Sequence, residues 1–118
     1  MFLERLARIS NRIAGSLALS LVDEDGIPIE SVSANPDLDL EVLAAESIAL
    51  VRTMAESNEE VPAGGLRVYS LSTDRYTLMV SSVAPGYYLL LVLDCGGSLG
   101  RARFELKRAR LVLEEDLR

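Results

Sequence analysis

The stretch SLALSLV, residues 16–22, alternates Leu17, Leu19 and Leu21 with Ala18, Ser20 and Val22, a period of two that predicts a strand whose two faces differ in side-chain size. Asp23 ends it. In the following DEDG the acids tolerate turn geometry and Gly26 accepts a positive φ, so a hairpin is expected, with a second strand through Ile27, Ile29 and Val32. Upstream, Phe2, Leu6, Ile9 and Ile13 recur at three- and four-residue spacing, which predicts a helix with Glu4, Arg5, Arg8 and Arg12 on its polar face, ended by Gly15.

Downstream of the hairpin, Asp37 or Asp39 is placed to cap a second helix running to about Ser57, with Glu41 in the first turn where the helix dipole favours an acid. Leu40, Leu43, Ser47, Leu50 and Met54 form one stripe, and Val42, Ala45, Ile48 and Ala49 widen it. One partner needs only one stripe, and small residues such as Ala45 and Ala49 let a second surface approach closely. The helix is therefore expected to touch its own sheet and another subunit.

The polar NEEVPAGG leads to three strand-like runs, LRVYSLS, RYTLMVSSV and YYLLLVL, joined by connections short enough for an antiparallel meander. The last run is almost wholly apolar, which requires cover on both faces. A third helix follows, capped by Ser98, with Leu99, Ala102, Leu106, Ala109 and Leu113 as its apolar stripe. The predicted order α-β-β-α-β-β-β-α then closes only as a three-layer α/β/α sandwich on a five-stranded antiparallel sheet, an α+β fold.

At 118 residues the chain suits one domain, 1–118, with a real core. Its formal net charge of -6 argues against a nucleic-acid partner held through phosphates. No apolar run approaches the length of a membrane span, so membrane insertion is not expected. The single cysteine, Cys95, has no internal disulfide partner, and the N-terminal pattern lacks the uninterrupted apolar core of a signal peptide, so a cytoplasmic location is expected.

The absence of histidine excludes Ser-His-Asp and Cys-His catalysis and histidine-based zinc sites. Asp23 and Asp25 have the spacing of the first two ligands of a calcium loop, but position six is Pro28 rather than Gly, and a plain hairpin accounts for them. GGSLG offers backbone amides at a helix start yet matches neither the Walker nor the GxGxxG pattern, and reads as a connection. Cys95 precedes a helix but has no identifiable base. The acid pairs Glu59–Glu60 and Glu114–Glu115 read as solvated charges. No cofactor and no metal is expected, and the chain is not expected to be an enzyme. Residues 37–60 hold seven acids against Arg52, whereas the last helix holds Arg101, Arg103, Lys107, Arg108 and Arg110 against Glu105, an asymmetry that a solvated face or a partner would explain.

The chain resembles the Roadblock/dynein light chain family, which includes bacterial MglB-type regulators of Ras-like GTPases. The resemblance rests on LALSLVDEDGIPIES, the alanine-rich DLEVLAAESIALVRTM and YYLLLVLDCGGSLGRARFELKRA. It implies a homodimer in which the third strands pair edge to edge and the second helices pack together. The residues agree: Leu66, Val68, Tyr69 and Leu71 lie on a short strand that otherwise leaves an open edge, and Ala45 and Ala49 lie on the broad apolar helix.

A family function follows as an expectation: binding a Ras-like small GTPase and modulating its nucleotide cycle, with Glu41, Glu46, Arg52, Thr53 and Glu56 as the platform. Arg52 and Arg75 are the candidates for an inserted arginine, although in this family activation is thought to work by remodelling the GTPase. A dimeric scaffold without effect on turnover is the alternative. A small-ligand sensor of the PAS or GAF kind is a further one, disfavoured because its pocket needs interior polar groups where Leu, Val and Ala predominate here.

Overall fold

A computed structural model describes residues 2–57 and 65–117. Glu59, Glu60 and most of NEEVPAGG lie outside the described residues, as does the side chain of Phe2. The elements are α1 (Phe2–Asn11), β1 (Ser16–Asp23), β2 (Pro28–Ser33), α2 (Leu40–Ser57), β3 (Val68–Ser72), β4 (Tyr76–Ala84), β5 (Tyr87–Asp94) and α3 (Leu99–Asp116). The strands form one antiparallel sheet in the order β2-β1-β5-β4-β3. The expected order of elements and the three layers are therefore both present.

Strand alternation divides the core between the two faces. Leu19, Leu21, Met79, Leu89, Leu91 and Leu93 meet Leu6, Ile9 and Ile13 and the Ala102, Leu106, Ala109 and Leu113 stripe of α3. On the opposite face Ala18, Val22, Leu78, Val80, Leu90 and Val92 meet Ala44, Ile48 and Val51 of α2. The larger face of β1 thus takes two helices and the smaller face takes one. β5 sits at the middle of the sheet with both faces covered, which is why its sequence has no polar side.

Local chemistry fixes the joints. Asp39 rather than Asp37 caps α2, its Oδ1 accepting from the Val42 amide at 3.2 Å. Ser98 caps α3 through the Arg101 amide. Asp23 Oδ1 accepts from the amides of Asp25 and Ile27 at 2.9 and 3.0 Å, so this acid closes the hairpin turn. At Gly97 a Cβ would meet Leu93 Cγ at 2.7 Å, so the close seat of the β5–α3 connection on the sheet requires glycine there.

Three expectations change. Leu17 packs with the α2-side core rather than beside Leu19 and Leu21, at the register shift between Ser16 and Ala18. Leu99 is exposed, because the α3 stripe begins one turn into the helix at Ala102. The inward side of α2 is Ala44, Ser47, Ile48 and Val51, while Leu50 and Met54 of the expected stripe are exposed. With a helical period, Ala44, Ile48 and Val51 define a side offset from the row that Leu50 and Met54 continue.

Candidate functional site

An open apolar feature on the α2 side of the sheet lies where α2 passes β3. Met54 and Leu50 are 56% and 45% exposed, and Leu71 of β3 is also 45% exposed. Tyr69 links the two elements: its ring packs against the α2-side core and its hydroxyl donates to the Ser47 carbonyl oxygen at 2.8 Å. Burial raises the Tyr69 pKa above the usual 10.0. Leu66 packs half-buried against the same core, just before β3. Val68 is exposed and, by alternation, belongs to the opposite face of the strand from Tyr69 and Leu71.

The two sheet edges are not alike. β2 begins with Pro28 opposite a register irregularity of β1, and it carries Glu30. Proline and a bulge are both devices that blunt an edge. Among the described residues β3 pairs on one side only, through Val68–Ser72 against Thr77–Ser81, and it holds neither proline nor charge. Its other side is an open row of backbone donors and acceptors.

The expected site residues separate into three groups. Leu66, Tyr69, Leu71, Leu50 and Met54 gather at the β3 side of α2; Leu50 and Met54 are added to the set by the structure. Their signal was already in the apolar stripe, but the direction of that stripe was not. Ala45 is exposed on the other flank of α2, where its backbone meets the hairpin turn of the same chain: an added Cβ on Gly26 would lie 3.1 Å from Ala45 Cα. Ala49 is exposed.

Of the platform residues, Arg52 stands on the hairpin flank, donating to the Glu24 carbonyl oxygen at 3.1 Å with Asp25 Oδ1 at 3.9 Å. Glu41 shares that flank by helical spacing. Glu46, Thr53 and Glu56 are exposed along the outward crest, with the Thr53 hydroxyl donating to the Ala49 carbonyl oxygen at 3.1 Å. Arg75 is exposed in the β3–β4 turn.

The sequence holds no histidine, and among the described residues no group of three or more acids and cysteines converges as a metal site. Cys95 is exposed, its amide donating to Asp94 Oδ1 at 2.8 Å. The arrangement has the chemistry of an interface: an apolar strip, an open strand edge and a charged crest beside it.

A model of the Roadblock/LC7 domain matches residues 4–94. The chain belongs to the Roadblock/LC7 domain family. Among solved structures, a Roadblock/LC7 domain from Streptomyces avermitilis superposes with a TM-score of 0.86 at 18% identity, covering 98% of this chain and 97% of that one. Myxococcus xanthus MglB gives 0.81 at 22% identity, with 96% and 89% covered. MglC from the same organism gives 0.68 at 23% identity, with 98% and 99% covered. No curated protein sequence matches the chain. At these identities the likeness is one of fold, and it spans this Roadblock/LC7 chain nearly end to end.

Proposed function

We propose that this Roadblock/LC7 chain is a non-enzymatic homodimer that binds a Ras-like small GTPase and modulates its nucleotide cycle. The observation that carries the reading is the coincidence of the open β3 edge with the exposed strip of Leu50, Met54 and Leu71. Pairing β3 with its own copy about a twofold axis satisfies the edge and buries the strip in one step, in a self-complementary contact. Two five-stranded sheets then become one, with both α2 helices on the same face. A solved relative of the same fold is an MglB in a tetrameric arrangement, an assembly consistent with contacts between copies.

Under this reading the paired α2 crests form the platform. Glu46, Thr53 and Glu56 face outward beside the seam, and Glu41 and Arg52 extend it toward the hairpin turn. Arg52 is engaged with that turn, which favours remodelling of the GTPase over insertion of an arginine among its phosphates. The test is capture of a Ras-like GTPase from native lysate with GDP and with a non-hydrolysable GTP analogue, followed by GTP turnover with and without the chain. Recovery in one nucleotide state together with altered turnover supports regulation. Equal recovery with unchanged turnover replaces it with the scaffold reading.

A further inference from the structure

The charge of the chain is divided by layer. Residues 1–12 and 99–118, which supply α1 and α3, hold nine Lys and Arg against five acids, whereas residues 13–98 hold three against thirteen. An acidic protein thus carries one basic face, on the side of the sheet away from α2. Arg5, Arg8 and Arg12 of the α1 segment and Glu105, Arg108 and Val112 of α3 line a groove of about 300 Å3 between the two helices, four arginines against one acid.

Two details leave this face net positive and partly apolar, with Glu4 and Glu115 as its exposed acids. Glu105, the sole acid among residues 99–113, is 1% exposed, with Arg101 and Arg108 each 3.5 Å from its Oε1. Glu105 is thereby withdrawn beneath the arginines, and Asp116 at the end of α3 is held by Arg5. Phe104 is 53% exposed on the outer side of α3, with the guanidinium carbons of Arg101 and Arg108 both 5.8 Å from its ring centroid. Leu111, two turns further on, is 68% exposed.

We propose that the α1/α3 face is a peripheral membrane-docking surface that adsorbs to anionic lipid headgroups. Guanidinium groups pair bidentately with phosphate oxygens, and the groove lined by Arg8, Arg12 and Arg108 offers several at once. Phe104 and Leu111 stand between the basic side chains instead of forming a charge-depleted centre, an arrangement of the headgroup–acyl boundary and unlike the core of a protein interface. No described helix is long and apolar enough to cross a membrane, so the contact is adsorption from one side. The acidic remainder orients the chain with its α2 face away from the lipid.

Sedimentation with phosphatidylcholine vesicles, with and without about 30% phosphatidylglycerol, tests this at low and physiological salt. The chain is expected to pellet with the anionic vesicles alone and to be released by salt. Arg8→Glu/Arg12→Glu/Lys107→Glu is expected to lower binding at least about tenfold, because each basic residue contributes near the surface. Phe104→Ser/Leu111→Ser is expected to lower it about fivefold while leaving the salt dependence in place. Far-ultraviolet circular dichroism confirms that each variant is folded. Equal pelleting with neutral vesicles, no pelleting with anionic ones, or binding to soluble polyglutamate without binding to vesicles overturns the proposal. GTPase capture is read separately, so failure here leaves the proposed function standing.

Discussion

Replacing Glu105 with methionine is expected to stabilise the protein. The carboxylate is 1% exposed, and neither of its oxygens has a hydrogen-bond partner among the described residues. An unsatisfied buried acceptor costs about 1–3 kcal/mol, so the two oxygens cost roughly 2–6 kcal/mol. Against this stand Arg101 and Arg108 at 3.5 Å, beyond good hydrogen-bonding distance and with half-exposed side chains, so that each contributes about 1 kcal/mol after screening. Methionine fills a similar volume, adds apolar burial beside Ala102, Leu106 and Ala109, and releases both arginines to solvent. The balance favours Glu105→Met by about 2 kcal/mol, in line with other replacements of buried ion pairs by packed apolar side chains. With an unfolding entropy of about 0.25 kcal/mol/K for a chain of this length, the thermal midpoint rises by roughly 8 °C. Calorimetry and urea titration of wild type and Glu105→Met measure it. A destabilisation of more than about 1 kcal/mol refutes the reasoning, because it means that the carboxylate is satisfied and bonded in the native state.

Gly26→Ala combines the strain of an L side chain at φ 82° with a Cβ 3.1 Å from Ala45 Cα, and is expected to lower unfolding stability by about 2–3 kcal/mol; an unchanged urea midpoint contradicts the close seating of the hairpin on α2. Tyr69→Phe removes the bond to the Ser47 carbonyl and is expected to cost about 1 kcal/mol at neutral pH. Because burial raises the Tyr69 pKa, the fold favours the neutral phenol: that contribution is complete below the ordinary value of 10.0 and is lost as pH rises through the folded-state pKa. Tyr69→Phe should therefore show a shallower alkaline loss of stability than wild type, and identical slopes above pH 10.0 contradict the assignment.

Much of this architecture was legible because period and burial coincide. The all-apolar YYLLLVL had to be central and Ser98 announced the start of α3, whereas the placing of two helices on one face and one on the other came from the structure. The candidate interface was legible as composition, an apolar helix beside a short strand, and less so as direction. Ala44, Ile48 and Val51 and the row ending in Leu50 and Met54 have equal claim to the core by period alone, and only the seat of α2 on the sheet decides between them. Ala45 was expected to let a second surface approach; the turn at Gly26 meets its backbone while the residue stays exposed. Glu105 gave no sign of burial, because a lone acid among five basic residues reads as a surface charge until α1 is laid beside it.

The central claim is that the strip between α2 and β3 is covered by a second copy of the chain. Light scattering at micromolar concentration measures the mass in solution most directly, for wild type and for the exposed-strip substitution Met54→Asp. The account expects twice the chain mass for the wild type and a shift toward the single-chain mass for Met54→Asp, with its circular dichroism unchanged. A wild-type protein that scatters as a single chain at that concentration contradicts the account.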